Sequence, residues 1–414
     1  MSLSMSDRDD SPPSLHLFIS TGEVSGDLQG SYLAQALFRQ AQQRGIPLKI
    51  SGLGGKRMAT AGAQIVGDTT PIGAVGILEA IPYWLPNLRI QRQARRFFRQ
   101  VDIDLIIFLD YMGPNLSLGK FLVRAFPHLP TTYYIAPQQW VWAYSENDTQ
   151  WLVRMADRMV AVFPQEAEYY RRFGADVSYF GHPLIDQFEQ PASRTEARQQ
   201  LEISPNATVI TLLPASRQQE LVHVLPLILQ AAQKIQATIP EVQFLLPVSM
   251  PKLRSSIAQA IARMSLPAQI IDTGSATAIA AADLVLNKSG TVNLEVALMN
   301  VPQVVIYRLN PITARVAYYL LQIQLPFISP VNLFVNKPIV PELIQWEATP
   351  EAIAQTSLAL LQDEQARAAV QAGYAEMRSL MGEPGVCDRA AAHLLDFALQ
   401  RKQVAGSAAS HPTG

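Results

Sequence analysis

The sequence predicts an α/β protein that consists of two doubly wound domains. Short apolar runs typical of β-strands alternate with amphipathic helical stretches, and strands separated by helices form parallel sheets of βαβ units. This alternation stops at a polar, proline-containing segment, residues 181–200, and then begins again. A chain of 414 residues, 49% of them hydrophobic, has enough apolar side chains for two cores.

The predicted strands are apolar runs bounded by proline, aspartate or glycine. They cover residues 15–20, 105–110, 131–137 and 159–163 in the first half, and 207–214, 242–248, 268–272, 282–287 and 302–307 in the second. We therefore expect an N-terminal domain at 15–188 and a C-terminal domain at 189–384. We expect a helix at 385–402 to pack back on the N-terminal domain, and disordered tails at 1–14 and 403–414.

Charge and cysteine content exclude several classes of protein. With 33 basic and 34 acidic side chains there is no overall attraction to nucleic acid. The single cysteine, Cys387, excludes an intramolecular disulfide or a thiolate metal cluster. The polar, acidic N-terminus has no secretory signal, and prolines and glutamines interrupt the uncharged stretch at 316–336. We expect a cytoplasmic protein, soluble or peripheral to a membrane.

The first predicted strand is followed by STGEVSGDLQG, residues 20–30. Ligands of parallel sheets bind beyond the carboxyl ends of the strands, and two such domains would place the active site in the cleft between them. Gly26 allows a tight turn, and Glu23, Ser25 and Asp27 would lie beside a ligand there. The alternative is a helix start capped by Ser25 or Asp27, with Glu23 solvated.

Asp110 ends a predicted strand, and Asn115 follows it in the next turn. A carboxylate at this edge of a sheet can accept a proton from a substrate, although an aspartate that caps the following turn is an equally common explanation. Asp102 and Asp104 open the same strand, at the wrong edge for a ligand. The six histidines lack the spacing of a metal site, and His182 favours a structural or hinge role near the cleft. No metal is expected.

The second half repeats this strand–turn–helix pattern at LLPASRQQE, residues 212–220. Arg217, beside Ser216, would lie at the start of a helix and bring a permanent positive charge. Charge-assisted hydrogen bonds contribute about 1.5–3 kcal/mol each, against about 0.3–1 for a helix N-terminus. Arg217 would therefore dominate the binding of a pyrophosphate.

A further turn of this kind is NKSGTVNLE, residues 287–295. Ser289, Gly290 and Thr291 offer backbone amides and hydroxyls to a phosphate. A capping box would need a glutamate where Leu294 stands, so Glu295 is available for another partner. Accepting two ribose hydroxyls is the chemistry that fits this carboxylate.

Residues 81–99 combine an apolar start with a run of cations. Tyr83, Trp84, Leu85 and Leu88 are followed by Arg89, Arg92 and three further arginines at 95, 96 and 99. Apolar and aromatic anchors beside cations are typical of an interfacial membrane contact. An ordinary amphipathic helix with a solvated basic face is the alternative.

Seven motifs in this order resemble the lipid-A-disaccharide synthase family, over about residues 14–399. They are GEVSGD (22–27), GLGGKRMATAG (52–62), YIAPQQWVWA (134–143), GHPLID (181–186), LLPASR (212–217), SGTVNLE (289–295) and PVNLF (330–334). The resemblance implies a GT-B glycosyltransferase with two Rossmann-like domains. It also implies the family's reaction, inverting and without a metal or cofactor. In that reaction 2,3-diacylglucosamine passes from its UDP ester to 2,3-diacylglucosamine 1-phosphate, at the inner face of the membrane.

The resemblance also assigns roles to residues. Asp110 becomes the candidate general base on the acceptor 6-hydroxyl. UDP and the donor sugar would be held by Arg217, Ser216, Ser289, Gly290, Thr291, Glu295 and Asn332. The acceptor side would include Glu23, Ser25, Gly26, Asp27, Asn115 and His182. Departures from the family pattern are Ala215, Lys288 and Gly113-Pro114.

Other functions remain open at this stage. A UDP-N-acetylglucosamine 2-epimerase has the same architecture but needs no surface for acyl chains. The transferase that makes lipid II would need a different glycine-rich donor loop. A catalytically inactive membrane-associated scaffold is the non-enzymatic alternative. The expected partners are the two acylated sugar substrates and a membrane surface, without nucleic acid, and a homodimer is compatible with the sequence.

Overall fold

The computed structural model describes residues 13–72, 84–143, 145–189, 192–214, 218–248, 253–272, 274–320 and 325–410. The chain divides into two compact units. Unit 1 comprises Met1–Pro183 together with Gly385–Gly414, and unit 2 comprises Leu184–Pro384. Unit 1 is therefore discontinuous in sequence, because unit 2 is inserted before its last segment.

The first segment of unit 1 alternates strands and helices. The strands are β1 Leu15–Ser20, β2 Leu48–Gly54, β3 Gln64–Asp68, β4 Leu105–Leu109, β5 Thr131–Tyr134, β6 Arg158–Ala161 and β7 Val177–Tyr179. The helices are α1 Val24–Gln43, α2 Lys56–Thr60, α3 Trp84–Phe97, α4 Met112–Ala125, α5 Glu146–Arg154 and α6 Pro164–Arg172. Short 3-10 turns lie at Thr70–Ile72 and, where the units join, at Pro183–Gln187.

The strands of unit 1 form one parallel sheet in the order β3-β2-β1-β4-β5-β6-β7. The order reverses between β1 and β4, so this pair forms the switch point at which doubly wound sheets bind ligands. Phe18, Ile106, Phe108 and Tyr133 are fully buried in its core, because both faces of the sheet are covered by helices.

Unit 2 repeats the alternation. Its strands are β8 Val209–Leu213, β9 Gln243–Pro247, β10 Ala268–Ile271, β11 Leu284–Lys288, β12 Gln303–Tyr307 and β13 Glu342–Ile344. Its helices are α7 Arg194–Gln200, α8 Gln218–Thr238, α9 Arg254–Arg263, α10 Ser275–Ala281, α11 Val292–Leu298, α12 Pro311–Arg315, α13 Pro330–Val335, α14 Pro350–Gln362 and α15 Glu364–Met381. A π-helical turn at Val316–Leu320 continues α12.

The sheet of unit 2 is also parallel, in the order β10-β9-β8-β11-β12-β13. Its switch point lies between β8 and β11. Val209, Leu245, Val285 and Ile279 are buried around it. The predicted fold class, an α/β protein with two doubly wound parallel sheets, is confirmed.

The final helix, α16 Val386–Ser410, returns to unit 1 and packs against α1. Arg39 pairs with Asp388 at 3.0 Å and Arg44 with Asp396 at 2.6 Å. The helix continues to Ser410, whereas the sequence predicted disorder from residue 403. Residues 403–410 contain three alanines and no proline, which favours continuation of a helix.

Candidate active site

Asp110 lies at the switch point of unit 1, directly after β4. Its backbone φ is 47°, and that of Tyr111 is 48°. Two consecutive non-glycine residues in the left-handed region are unusual, since each costs about 1–2 kcal/mol relative to a right-handed conformation. The surrounding groups must therefore hold this turn, and such conformations cluster at functional sites.

Three hydrogen bonds hold the backbone of Asp110. Its N–H donates to the carbonyl oxygen of Ile135 at 2.8 Å. Its own carbonyl oxygen accepts from the Tyr133 hydroxyl and from Asn115 Nδ2, both at 2.8 Å. Ile135, which follows β5, is itself left-handed with a φ of 58°. The ends of two neighbouring strands thus fix each other.

Asn115 was expected on the acceptor side, and the structure gives its amide a different set of partners. It is 1% exposed, and its Oδ1 accepts from Ser20 Oγ at 2.7 Å. Its Nδ2 donates to the carbonyl oxygens of Leu109 at 3.1 Å and Asp110 at 2.8 Å. Because protein groups occupy the amide, Asn115 ties the end of β1 to the end of β4.

Gly22 is required by the side chain of Tyr111. A Cβ at Gly22 would lie 1.7 Å from the Tyr111 ring, closer than any real contact. The ring therefore covers the turn after β1, and the first glycine of GEVSGD serves this close approach.

The remaining residues of the GEVSGD motif form the start of α1. Glu23 is the N-cap, and Ser25 Oγ donates to Glu23 Oε1 at 2.6 Å. Gly26 lies against Thr21, whose Cβ would be 3.1 Å from a Cβ at Gly26. These positions place Glu23 and Ser25 beside the turn that follows β1.

Asp27 was expected on the acceptor side, and in the structure its carboxylate binds backbone amides of the protein. It is 3% exposed, and its carboxylate accepts from the backbone N–H groups of Gly55 at 2.7 Å, Arg57 at 3.1 Å and Met58 at 3.1 Å. The side chain thus satisfies the first amides of α2, as carboxylates at helix N-termini do. Its role is to fix the 52–62 motif against α1.

Glu166 is a buried carboxylate that the sequence analysis missed. It is 1% exposed and accepts from the backbone N–H groups of Ala136 at 2.8 Å, Val162 at 2.9 Å and Phe163 at 3.2 Å. Burial raises its pKa to about 7, although these three donors oppose the shift. A glutamate three residues into a helix that begins at a proline was the available signal.

His182 is buried at the end of unit 1, 5% exposed. Its ring packs edge-on against Phe163, with 5.5 Å between ring centroids. Burial lowers the pKa of the imidazole to about 3, so the ring is uncharged at neutral pH. This environment agrees with a structural role, and contact with the acceptor stays a prediction.

In unit 2, the Ser289–Thr291 turn follows β11 at the switch point. Ser289 donates its N–H to Ile306 at 3.1 Å and its hydroxyl to Ile328 at 2.8 Å. The N–H of Gly290 donates to Asn293 Oδ1 at 2.9 Å, so a phosphate would have to share or displace this bond. A Cβ at Gly290 would meet no atom within 4 Å, which leaves open space above the turn.

Two charged residues flank this turn. Lys288 is half-buried, and its Nζ lies 5.5 Å from the centroid of the Tyr307 ring, an attractive cation–π contact. Glu295 is half-buried on α11. The positive charge of Lys288 makes the turn more attractive to an anion. The carboxylate of Glu295 lies one turn further along the helix.

Asn332 was expected in the donor site, but its amide is filled by protein groups. Its Oδ1 accepts from the N–H groups of Ile339 at 2.8 Å and Val340 at 2.9 Å. Its Nδ2 donates to the Val340 carbonyl at 2.9 Å and to Glu342 Oε1 at 2.8 Å. A primary amide has no further strong bond to offer, so Asn332 shapes the 328–342 loop instead of reaching a ligand.

Glu342 completes this loop. It accepts from the N–H groups of Ile328 at 2.9 Å and Ser329 at 2.8 Å. Burial raises the pKa of Glu342. Since Ser289 bonds to Ile328, the Ser289–Thr291 turn and the Asn332–Glu342 pair form one connected set.

Three predicted site residues, Ser216, Arg217 and Tyr83, lie outside the described residues. The strand before the first pair, β8, ends at Leu213, and α8 begins at Gln218. Strand β8 is the neighbour of β11, the strand that precedes Ser289, at the switch point.

Helix α3 carries the predicted membrane segment. Trp84, Leu85 and Leu88 are 68%, 66% and 37% exposed. Arg89 and Arg92 are exposed on the following turns, whereas Gln91 and Ala94 are buried against unit 1. Among the described residues, no helix is both long and apolar enough to cross a bilayer.

Solved structures share this architecture. The chain aligns with UDP-GlcNAc 2-epimerase from Neisseria meningitidis bound to UDP-GlcNAc, with a TM-score of 0.58, 11% identity and coverage of 92% of this chain and 100% of that one. It also aligns with the glycotransferase of kitacinnamycin, with a TM-score of 0.59, 14% identity and coverage of 94% and 100%. The two parallel sheets and these structural matches show the GT-B fold.

Sequence relatives narrow this class. The family described as lipid-A-disaccharide synthetase matches residues 17–397. The lipid-A-disaccharide synthases of Gloeothece citriformis and Synechocystis are 48% and 47% identical to this chain, covering 92% and 93% of it and 100% and 98% of their own lengths. The chain belongs to the lipid-A-disaccharide synthetase family, as its seven motifs predicted.

Proposed function

We propose that the protein is a lipid-A-disaccharide synthase. It would transfer 2,3-diacylglucosamine from UDP-2,3-diacylglucosamine to the 6-hydroxyl of 2,3-diacylglucosamine 1-phosphate. The products are the β-1,6-linked disaccharide 1-phosphate and UDP. One observation carries the proposal: the carboxylate of Asp110 in unit 1 and the Ser289–Thr291 turn in unit 2 each follow the switch-point strand of their own sheet.

Asp110 would act as the general base. The acceptor hydroxyl attacks the anomeric carbon of the donor from the face opposite UDP, the carboxylate takes the hydroxyl proton, and the bond from that carbon to the UDP oxygen breaks. A single displacement of this kind inverts the anomeric configuration. The fixed backbone of Asp110 supports this role, because a base must be held within hydrogen-bond reach of its proton.

UDP leaves with negative charge, and cationic side chains would stabilise it. Arg217 and Lys288 are the candidates for the pyrophosphate, with Ser216, Ser289, Gly290 and Thr291 as hydrogen-bond donors. Glu295 would accept the ribose hydroxyls. Because an arginine can neutralise the departing charge as a metal ion would, we propose that turnover needs no metal.

Both substrates carry acyl chains that reside in a membrane, and α3 would meet this surface. Its three exposed apolar side chains can enter the interface, while Arg89 and Arg92 pair with anionic headgroups. We propose a peripheral location at the cytoplasmic face of the inner membrane, where both acylated sugars are present.

The first experiment is an assay of the purified protein with both acylated sugars in detergent and EDTA. We expect the disaccharide phosphate and UDP to form in equal amounts. We further expect Asp110→Asn to lower turnover by about 10²–10⁴-fold, the usual contribution of general-base catalysis, while UDP affinity changes little. Loss of turnover and UDP binding together would make Asp110 structural, and UDP binding without any disaccharide would require another sugar acceptor.

A further inference from the structure

We propose that Tyr133 and Asn115 are positioning residues that hold the carboxylate of Asp110 in its reactive orientation. The inference rests on the proposed role of Asp110 as general base. Neither side chain needs to touch a substrate, because both act through the backbone carbonyl of Asp110.

The turn at Asp110 and Tyr111 is strained. Asp110 and Tyr111 both have positive φ values, 47° and 48°, and neither is a glycine. Without external bonds, both residues would relax toward the right-handed or extended region. A change of φ at Asp110 would reorient its Cα–Cβ bond relative to β4, and with it the carboxylate.

The two donors bind the same atom. The Tyr133 hydroxyl and Asn115 Nδ2 converge on one carbonyl oxygen, each at 2.8 Å, and so occupy both lone pairs. Tyr133 is 0% exposed and Asn115 is 1% exposed, so water cannot easily replace either donor. The peptide is clamped from two directions inside the core.

The hydroxyl of Tyr133 keeps its proton. Burial, and to a smaller degree the charge of Asp110, raise the pKa of this hydroxyl above its ordinary value. The hydroxyl therefore stays protonated at neutral pH and can donate to the Asp110 carbonyl. A tyrosine in this place is a permanent donor.

The two hydrogen bonds to the Asp110 carbonyl should affect the rate of proton transfer. A general base works only within hydrogen-bond reach of its proton, and a displacement of about 1 Å costs about 10²-fold in rate. Removing one donor leaves the other in place, so we expect a partial loss. Substrate binding involves other atoms and is expected to change little.

The test is Tyr133→Phe, which deletes one oxygen and keeps the packing of the ring. We expect kcat to fall by about 10–100-fold while KM for the UDP-sugar stays within about twofold. The matched control is Tyr374→Phe in unit 2, which removes another fully buried hydroxyl that donates to a backbone carbonyl, that of Val301 at 3.1 Å. This control is expected to keep its kcat.

A double-mutant cycle then separates positioning from general damage. In the Asp110→Asn background, Tyr133→Phe should cause no further loss of the residual turnover, because the group it positions is gone. Asn115→Ala should behave in the same way and provides a second variant. Equal losses in both backgrounds, or a kcat of Tyr133→Phe equal to that of the parent, would overturn the proposal. If Asp110→Asn itself keeps full turnover, the proposed function of Asp110 fails first.

Discussion

At the scale of single residues, burial shifts the pKa values of two ionisable groups in unit 1. Burial shifts His182 and Glu166 in directions that both favour the neutral form: the pKa of the imidazole falls to about 3, and that of the carboxyl rises to about 7. Both residues contact Phe163: His182 packs against its ring, and Glu166 accepts a hydrogen bond from its backbone N–H. The loop before α6 is thus held by groups that tolerate charge poorly.

His182 and Glu166 should make opposite contributions to the pH dependence of the stability of unit 1. Between pH 7 and 4.5 the folded chain binds a proton at Glu166 that the unfolded chain does not, so this group stabilises the fold as the pH falls, whereas His182 does the reverse. Between pH 6.5 and 3 the unfolded chain binds a proton at this imidazole and the folded chain does not, so stability is lost as the pH falls through that window. From pH 7.5 to 4.5 this single group contributes a loss on the order of 3 kcal/mol. We expect His182→Gln to remove most of that pH-dependent part.

Urea unfolding followed by tryptophan fluorescence at both pH values measures this effect. Four of the five tryptophans, Trp84, Trp140, Trp142 and Trp151, belong to unit 1 and report on it. His128→Gln, at an exposed histidine, serves as the control and should keep the pH dependence of the parent. An identical pH dependence in all three proteins would contradict the assignment to His182.

At the scale of elements, α3 has one face that packs on the rest of unit 1 and an end with large apolar side chains exposed to solvent. One face packs on unit 1 through Gln91 and Ala94, and the exposed end carries Trp84 and Leu85. Large apolar side chains exposed next to several arginines fit the boundary between headgroups and acyl chains. The helix can serve this boundary without crossing it.

Replacing the two exposed anchors should weaken membrane binding. Burial of one large apolar side chain is worth about 1.5–3 kcal/mol, and only part of this is realised at an interface. We expect Trp84→Ser with Leu85→Ser to lower partitioning to vesicles that contain anionic lipid by about 10–100-fold, measured by sedimentation. Trp346→Ser removes a tryptophan of similar exposure, 55%, in unit 2 and should sediment as the parent does. Unchanged sedimentation of the double variant would reject the contact.

Sequence patterns predicted the elements better than the contacts of the site. The run at residues 15–20 matches β1 at both ends, since a buried parallel strand is apolar throughout. Strands β2, β3, β7 and β13 were missed. Strands β7 and β13 have only three residues and show no periodicity, and polar residues or glycines interrupt the apolar runs of β2 and β3. Asp110 was found because a carboxylate after an apolar run stands out. Asn332 was read as a ligand because residue type does not reveal hydrogen-bond partners, and those partners depend on how the following loop folds back.

The same limit applies to bonds between distant segments. Ser20 and Asn115 are 95 residues apart, and the bond from Tyr133 to Asp110 spans 23 residues. No local pattern encodes which buried side chain meets which strained carbonyl. The positioning groups therefore become visible only in the folded protein.

At the scale of the whole molecule, unit 1 depends on its last helix. Leu394 and Leu395 on α16 are fully buried, and α16 packs along α1. The ion pairs on this surface, such as Arg44 with Asp396, are largely exposed and contribute about 0–1 kcal/mol. Apolar packing provides most of the attachment.

We therefore expect Leu394→Ala to destabilise unit 1 by about 2–5 kcal/mol, the usual cost of a cavity of this size. Arg44→Ala should cost less than about 1 kcal/mol, since its partner is exposed. Urea unfolding of both variants, followed by the tryptophans of unit 1, gives the comparison. If the two substitutions cost the same, ion pairs and not packing would hold α16.

The order of the segments along the chain also determines the order in which the two units are completed during translation. Residues 184–384 are continuous, so unit 2 leaves the ribosome whole while unit 1 still lacks residues 385–414. Domains usually fold as units in the order of their synthesis, but here the N-terminal unit is finished last. Until α16 emerges, the apolar face of α1 that it covers is bare in the nascent chain. The nascent chain thus leaves this face of α1 uncovered while residues 44–385 are synthesised.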